Sequence, residues 1–347
     1  MAGAGAVGSA VAVGLAREGW RVTVCDVAPQ GPNASSVAAG MLAPAFEALF
    51  DALSADRYPL FRAARDLWGD WDAPVSRAGA LAVGERAEVE AWAARLAEIG
   101  AQGEVLPPAR ATIAAQGRVT ERWGVLTPED WRLEPQPVLG RLQDLGRALG
   151  VRFVDRAVAE FASSRAVLQG GGRLAADLLV IATGAGRSLV HVAPELRALM
   201  PVKGHILRAP TAGPPGPVIR TPGLYLARGE HEQILGATME PGRDDTEIDP
   251  AAVAALIRRA EALSPDLARA PWRAAAGVRG ATPDGLPLVG RSTADRVILA
   301  VGARRNGWLL APLIAAEVVR AAGERAPGPW TALLAPGRDD SALRTTG

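Results

Sequence analysis

Three glycines near the start of the chain have the spacing of a turn that binds a dinucleotide. They are Gly3, Gly5 and Gly8, in the stretch MAGAGAVG. In this G-x-G-x-x-G pattern the first glycine permits a tight turn, the second lets the backbone approach a pyrophosphate, and the third lets a helix pack on a sheet. The free N–H groups and positive end of that helix then attract the phosphates. By itself the pattern is a weak signal, because small residues also serve close helix packing.

The segments after the glycines follow the order that a βαβ unit requires. Residues 7–18 predict a helix of small residues closed by Gly19, and RVTVCD, residues 21–26, alternates β-branched residues and ends on an acid. Asp26 lies 18 residues after Gly8 (26 − 8), near the spacing of about 20 expected for an acid that hydrogen-bonds a ribose hydroxyl. Together these features favour a dinucleotide site, but they do not distinguish NAD from FAD.

Only Met1 and Ala2 precede the glycine turn, although such a turn normally follows a β-strand. We therefore expect the first strand of the sheet to be missing from this sequence, which would expose two neighbouring strand edges and weaken cofactor binding. Two later strands are clear. Residues 177–182 form an apolar run typical of a strand buried on both faces, and residues 296–301 lead into a helix from about 309 to 322.

Further periodic segments predict helices over residues 84–99, 128–150 and 250–263. Residues 209–223 contain many prolines and glycines, and we expect them to connect two domains.

Composition excludes several classes of protein. The chain has 347 residues, 49% of them hydrophobic, and its formal net charge of +1 gives no reason to expect a nucleic-acid partner. The single cysteine, Cys25, excludes an intrachain disulfide framework. Three scattered histidines and this cysteine offer neither a catalytic triad nor a metal site. Neither a basic region ahead of an apolar segment nor a run of about 18 apolar residues occurs, so we expect a cytoplasmic protein without a membrane partner.

Five segments together resemble a known family. SSVAAGMLAP, residues 35–44, is either a helix start capped by Ser35 or Ser36 or a segment that approaches a flavin. The stretches PVKGHIL, LGATMEPG, AAGVRGATPDGLPLVG and VGARRNGWLLAP begin at residues 201, 235, 275 and 301. In order and spacing they resemble the D-amino-acid-oxidase-like family of FAD enzymes, and particularly its glycine oxidases. The resemblance runs from Gly3 to about Ala322.

The resemblance implies an α/β, two-domain (α+β) fold. A Rossmann-like FAD-binding domain would comprise residues 1–75, 128–196 and 273–347. An interleaved substrate domain with an antiparallel sheet would comprise residues 76–127 and 197–272. The first β-strand of the FAD-binding domain would be the one that the sequence lacks.

The resemblance also assigns roles to individual residues. Arg279 would hold the substrate carboxylate, since a planar guanidinium matches a carboxylate with two hydrogen bonds. Tyr225 would support the same carboxylate, and Arg305 would lie near substrate and flavin. Met239 would line the pocket. The implied cofactor-binding residues are Gly3, Gly5, Ala6, Val7, Gly8, Asp26, Ser35, Ser36, Ala39, Gly40, Met41, Val158, Thr183, Gly184, Gly302, Asn306, Gly307, Trp308 and Leu309.

The implied reaction is oxidative deamination of glycine or another small amino acid. A hydride would pass from Cα to flavin N5, giving an imine and a reduced flavin that O2 reoxidises to H2O2. FAD would be bound non-covalently, because Cys25 lies within a predicted strand. Thiazole synthase, an enzyme of thiamine synthesis, is one candidate recipient of the imine. The sequence does not decide whether the protein forms a homo-oligomer.

Two departures from the family pattern leave substrate choice open. Gly280 follows Arg279 where the family usually has proline, and Ala303-Arg304 precedes Arg305 where an aromatic residue or histidine is usual. The alternatives are a D-amino acid dehydrogenase, a sarcosine-oxidase-like flavoenzyme, or a shortened form with weak FAD binding and little activity.

Overall fold

The computed structural model describes residues 1–28, 33–211 and 214–338. Its helices carry much of the hydrophobic core and surround two principal sheets. In chain order they are α1 (Ala6–Arg17), α2 (Ala34–Val37), α3 (Pro44–Phe50), α4 (Tyr58–Asp66), α5 (Arg86–Glu98), α6 (Pro108–Ala114), α7 (Pro135–Ala148), α8 (Pro250–Glu261), α9 (Pro265–Ala268), α10 (Gly307–Ala322) and α11 (Thr331–Leu334). Short 3₁₀ turns cover Ala52–Ser54, Leu67–Asp70 and Pro194–Ala198. Among the helices of these ranges, none has the length and hydropathy needed to cross a membrane.

The strands are short, apart from two long ones that pair with each other. In chain order they are β1 (Thr23–Cys25), β2 (Met41–Leu42), β3 (Val75–Ser76), β4 (Ala80–Gly84), β5 (Glu104–Leu106), β6 (Trp123–Thr127), β7 (Trp131–Leu133), β8 (Arg152–Val154), β9 (Val158–Ala162), β10 (Arg165–Leu168), β11 (Arg173–Ala175), β12 (Leu179–Ile181), β13 (Met200–Pro210), β14 (Val218–Thr221), β15 (Leu224–Arg228), β16 (Glu232–Gly236), β17 (Glu240–Pro241), β18 (Arg273–Ala281), β19 (Leu288–Arg291) and β20 (Val297–Val301).

The first principal sheet is mostly parallel and supports the glycine turn. β1 pairs in parallel with β8, and β12 pairs in parallel with β20, while β19 closes the edge antiparallel to β20. All five residues of β20 are buried, as expected for a strand covered on both faces. α1 and α10 pack together over this sheet, where Val11 and Ile314 are both fully buried.

The first three residues lie between β1 and β12 and join the two halves of this sheet. Ala2 pairs in parallel with both Cys25 and Ile181. Its amide donates to Val180 O at 2.8 Å, and its carbonyl accepts from the Ala182 amide at 2.8 Å. Beside Met1, a cavity of about 860 Å³ lies between the segment that leads into β1 and residues 174–180. The glycine turn is therefore anchored to both neighbouring strands by a stretch of three residues.

The second principal sheet is mixed and is built around β13. Antiparallel pairing joins β13 to β16, β17 and β18, and β14 to β15, whereas β14 and β4 pair in parallel. One face of this sheet packs on α6 and α8. The other face packs on α3 and α5, and its inward-facing residues include Ile206 and Tyr225. Smaller antiparallel sheets are formed by β9–β10–β11 and β2–β7–β3.

Three sequence expectations are corrected by this arrangement. Residues 209–223 do not simply connect two domains, because β14 lies in the middle of the mixed sheet and forms a hairpin with β15. Val158, which the sequence pattern places between two short strands, is instead the first residue of β9. The last long helix begins at Gly307, two residues earlier than the apolar pattern predicts.

The proposed domain division also changes at one point. β18 pairs with β13 from Met200–Ala281 to Arg208–Arg273. A boundary between residues 272 and 273 would separate strands that share a continuous hydrogen-bond ladder. The pairing favours a boundary after Ala281, which places Arg279 on the mixed sheet. The part of the expected domain beyond residue 338 lies outside the described residues.

Candidate active site

The glycine turn lies at one end of a cavity of about 400 Å³. Gly3 has φ +103°, and a Cβ there would collide with the Ala182 carbonyl. A Cβ at Gly8 would collide with the Gly3 carbonyl, so the helix could not approach the turn. In the described ranges, the amides of Val7 and Gly8 donate to no acceptor. The first turn of α1 therefore presents two free N–H groups, an arrangement that binds anions.

Asp26 follows β1 directly and lines the same cavity. One carboxylate oxygen accepts from the Ala4 amide at 2.7 Å, and the other accepts from the Ala28 amide at 2.9 Å. Each carboxylate oxygen can accept a second hydrogen bond. Asp26 is thus held in place by the glycine turn and retains capacity to accept from a ligand hydroxyl.

Most of the other predicted cofactor-binding residues meet around this cavity. Gly184 has φ +63°, and no protein atom lies within 4 Å of a Cβ built there. The Ser35 hydroxyl accepts from the Ala6 amide at 2.9 Å. The predicted residues on the cavity wall are Gly3, Gly5, Ala6, Val7, Gly8, Asp26, Ser35, Val158, Thr183, Gly184, Gly302 and Gly307.

Ser36 has a different role from the predicted one. α2 is capped by Asn33, whose side chain accepts from the Ser35 and Ser36 amides at 3.0 and 3.1 Å. The Ser36 hydroxyl accepts from the Asn33 amide at 3.1 Å, which completes a capping box. Ser36 is buried and lies on the wall of neither site cavity. Neither serine caps the helix as the sequence suggested.

The start of α10 presents three further free amides. In the part of the chain that the structure describes, the N–H groups of Gly307, Trp308 and Leu309 have no acceptor. A Cβ built at Gly307 would meet no protein atom within 4 Å. The Leu309 side chain is fully buried in the core, so only its amide could meet a ligand. The Trp308 indole donates to Ser35 O at 3.0 Å and ties the helix start to α2.

A second cavity, of about 150 Å³, adjoins the first. Arg279 and Ala34 lie on the walls of both. The smaller cavity lies against the face of the mixed sheet that carries Tyr225. Other predicted residues on its wall are Ala39, Gly40, Met41, Met239, Arg305, Asn306 and Trp308. All three residues proposed to contact substrate therefore surround one cavity.

Arg279 lies over the backbone of β13 at Gly204. A Cβ at Gly204 would collide with the guanidinium, so this glycine provides the space that Arg279 occupies. The guanidinium reaches Thr238 O and Met239 Sδ at 3.4 Å each, longer than a good charged hydrogen bond. No carboxylate of the described residues forms an ion pair with it, and burial lowers the pKa of Arg279. The guanidinium is positioned to receive an anion.

Tyr225 lies opposite Gly236 in the sheet register. A Cβ at Gly236 would collide with the Tyr225 hydroxyl, so a second glycine provides space for a site side chain. Burial raises the pKa of Tyr225. Its hydroxyl therefore stays protonated at neutral pH and can donate a hydrogen bond.

Arg305 is already paired, unlike Arg279. Its Nε donates to Glu47 Oε2 at 2.5 Å and its Nη2 donates to Glu47 Oε1 at 3.0 Å. Burial opposes the charge of Arg305, but Glu47 raises its pKa above the ordinary value. Burial likewise opposes ionisation of Glu47, yet Arg305 and Arg220 hold its pKa below the ordinary value. Arg305 therefore has less capacity for a substrate carboxylate than Arg279.

A model of the family described as FAD dependent oxidoreductase matches residues 2–321. The chain belongs to this family. This oxidoreductase is 36% identical to the glycine oxidase of Geobacillus kaustophilus over 149 residues, which are 41% of this chain and 40% of that protein. It is 31% identical to a putative thiamine biosynthesis oxidoreductase ThiO of Rhizobium etli, over 92% of this chain and 94% of that protein.

The structural comparison agrees. The crystal structure of glycine oxidase from Geobacillus kaustophilus superposes with a TM-score of 0.81 and 25% sequence identity, over 97% of both chains. The oxidoreductase spans 40% to 51% of the length of several curated relatives that it matches.

The larger cavity of this oxidoreductase suits FAD. The free amides of α1 would face the pyrophosphate, and Asp26 retains capacity for a ribose hydroxyl. Gly184 and Gly307 leave space on the wall that a Cβ would fill. The free amides of α10 and its positive dipole would stabilise negative charge on a flavin ring.

Sequence analysis missed two residues of the smaller cavity, Glu47 and Arg220. Glu47 lies in the first turn of α3, beyond the SSVAAGMLAP segment, at a position for which the sequence analysis made no prediction. The position of Arg220 beside Tyr225 could have been predicted from the sequence. VIRT and LYLA flank Pro222-Gly223, a two-residue hairpin turn, so Arg220 lies directly opposite Tyr225 on the same face.

Proposed function

We propose that this oxidoreductase oxidises the Cα carbon of a small amino acid, with glycine as the simplest substrate. Arg279 carries the proposal, since its guanidinium has no carboxylate partner in the described ranges and lies where the two cavities meet. An amino acid held there by its carboxylate would have its Cα beside the cavity assigned to FAD. The smaller cavity, of about 150 Å³, suits a small substrate.

Different side chains of the smaller cavity would bind the substrate carboxylate and set the charge around the substrate amine. Arg279 would hold the carboxylate through two parallel hydrogen bonds, and Tyr225 would donate a third from its protonated hydroxyl. Arg305 and Arg220 add positive charge to the wall, which disfavours the ammonium form of the substrate and favours the neutral amine. Phe50 and Trp308 add aromatic side chains to the wall of the same cavity.

The chemistry that FAD supplies when bound is acceptance of a hydride from Cα, which turns the neutral amine into an iminium, and delivery of the two electrons to O2 as H2O2. The proposal keeps this FAD non-covalent, since the thiol of Cys25 is buried in β1 and burial raises its pKa. The name of the Rhizobium relative, a putative thiamine biosynthesis oxidoreductase, supports a role in thiamine synthesis, and a thiazole synthase is proposed as a recipient of the imine. A cytoplasmic location is part of the same proposal.

Anaerobic reduction of the purified holoenzyme tests this function. Glycine, sarcosine and D-alanine are mixed with the enzyme, and the flavin absorbance is followed. We expect bleaching by at least one of the three and, in air, one H2O2 per amine consumed. Bound flavin that neither these three amines nor aspartate reduces would contradict the proposal. Reduction followed by reoxidation with a dye but not with O2 would favour a D-amino acid dehydrogenase.

A further inference from the structure

Arg220 lies on the wall of the smaller cavity together with Arg279. It is on β14 and only 5% exposed. Its register partner is Tyr225, whose side chain also reaches the cavity. Arg220 and Arg279 are thus two cations on strands of the same sheet, and both border the space proposed for substrate.

The hydrogen-bonding capacity of Arg220 is largely unused. A guanidinium has five N–H donors. In the described residues, Arg220 reaches Glu47 Oε1 at 3.3 Å and Met41 Sδ at 3.5 Å. Both distances exceed the 2.7–2.9 Å typical of a charged hydrogen bond. Its guanidinium carbon also lies 5.9 Å from the centre of the Phe50 ring.

Glu47 forms a close ion pair with Arg305 and a longer one with Arg220, so its single negative charge is divided between two arginines. Both of its carboxylate oxygens are engaged by Arg305, and only one also meets Arg220 at the longer distance. Asp130 also lies nearby, but its oxygens accept from the Ala45 and Phe46 amides, and burial raises its pKa to about 7.

The cavity wall therefore carries a positive excess. Arg220, Arg279 and Arg305 face one full negative charge, that of Glu47, among the described residues lining this cavity. Buried charges are costly unless they are paired. A substrate with one carboxylate would pair with Arg279 and leave the excess charge of Arg220 in place. A substrate with two carboxylates would pair with both arginines.

We infer that the preferred substrate is a small amino acid that carries a second carboxylate, bound by Arg220 while Arg279 holds the first. This inference rests on the proposed function and narrows its substrate class. It predicts that the enzyme binds and oxidises a molecule with the second carboxylate better than a molecule of the same shape in which that group is uncharged.

Binding to wild-type holoenzyme provides the first test. Succinate and succinamate have nearly the same shape, but succinamate has an uncharged amide in place of one carboxylate. Each is titrated while the flavin spectrum is recorded. We expect succinate to bind at least about tenfold more tightly, since a charge-assisted pair is worth at least one decade in affinity. Equal affinities would overturn the inference.

Turnover provides the second test, with aspartate and asparagine in both enantiomers. We expect kcat/KM for the reactive enantiomer of aspartate to exceed that for asparagine by at least about tenfold. In Arg220→Gln this ratio should fall towards one, and in Arg220→Lys it should take an intermediate value, because lysine keeps the charge but loses the fork. Flavin absorbance and Tm of both variants show that they are folded.

Failure of the inference is distinct from failure of the proposed function. If glycine and asparagine reduce the flavin as fast as aspartate does, the function stands and the inference is wrong. If Arg220→Gln folds and keeps the wild-type aspartate preference, Arg220 is not the second anchor. If no amine reduces bound flavin, the proposed function itself is contradicted, while succinate binding still reports on Arg220.

Discussion

At the residue scale, the two arginines first assigned to substrate differ in their partners. Arg305 shares two hydrogen bonds with Glu47, whereas the hydrogen-bond contacts of Arg279 within the described part of the chain are two long ones, to a carbonyl oxygen and a sulfur. A guanidinium without a carboxylate is available to a ligand, while a paired one stabilises the site. This difference makes Arg279 the better candidate for the carboxylate anchor.

Arg279→Lys tests that assignment. Lysine is a point charge without the fork that matches a carboxylate. Loss of a charged partner in a buried site costs about 2–5 kcal/mol, which lowers kcat/KM about 30- to 4,000-fold. Simple amines without a carboxylate should lose much less, and the flavin spectrum should be retained. Titration with glycolate isolates the contact. Unchanged glycolate affinity would exclude Arg279 as the anchor and favour Arg220.

Glu47→Gln tests the charge between Arg305 and Arg220. Removing one partner of a buried ion pair costs about 3–5 kcal/mol of unfolding free energy. The pKa of Glu47 is below its ordinary value in the folded protein, so its contribution is present at neutral pH and is lost as the pH falls through that depressed pKa.

The measurement is urea denaturation of both proteins from pH 7 down to the lowest pH at which both fold. The difference in stability should be largest at neutral pH, should begin to shrink as the pH falls through the ordinary glutamate pKa of about 4.3, and should be lost below the depressed pKa of folded Glu47. Glu98→Gln is the matched control, because Glu98 lies on the surface of α5. A difference that does not change with pH would contradict the role of the charge.

At the element scale, a glycine in β13 leaves room for the side chain of Arg279, which is on the neighbouring strand β18. Gly204 is the position on β13 over which the Arg279 guanidinium lies, and it is paired with Gly277 on β18. A strand interior disfavours glycine, since glycine loses the most conformational freedom on folding. Here the space that Gly204 leaves is occupied by the guanidinium of Arg279.

Gly204→Ala should therefore displace the Arg279 guanidinium without unfolding the protein, since the group that must move is the end of a flexible side chain. We expect kcat/KM for amino acids to fall at least about tenfold, on the order of one misplaced charged contact. FAD content should stay the same. Gly140→Ala in α7 is the control, because a Cβ there meets no protein atom within 4 Å. Wild-type kinetics in Gly204→Ala would contradict this account.

At the scale of the whole molecule, the two halves of the parallel sheet are joined through residues 1–3. The cavity of about 860 Å³ beside Met1 separates the segment before β1 from residues 174–180. The Met1 amino group is buried and donates to Thr23 O at 2.6 Å, and burial lowers its pKa. Fewer hydrogen bonds therefore cross this part of the sheet than cross a complete central strand.

An added strand should strengthen that junction. We expect an N-terminal extension of about six apolar β-branched residues, a typical strand length, to pair with both edges of the cavity. It should raise Tm and the fraction of protein that carries FAD. A Gly-Ser extension of the same length is the control, because it replaces the amino group with an amide but offers little to pack. Equal Tm and FAD content for the two extended proteins would contradict the expectation.

The sequence by itself determined the elements whose signals are local. Gly3, Gly5, Gly8 and Asp26 occupy one turn–helix–strand segment, and their spacing follows from the fixed rise of a helix and a strand. The same holds for α10 and for the strand that precedes it. Such features depend on neighbours within about 25 residues, and the structure contains each of them. The family that the five longer segments resemble is confirmed by the match over residues 2–321.

Tertiary structure alone decided which charges pair. Glu47 meets Arg305 across 258 positions of sequence and Arg220 across 173, and no periodic pattern relates residues so far apart. It likewise placed β18 beside β13. Coulomb attraction and burial act through space. The sequence around an arginine therefore does not predict whether a carboxylate will lie beside it in the folded protein. Among the residues that the structure describes, Arg305 has a carboxylate partner, Glu47, and Arg279 has none.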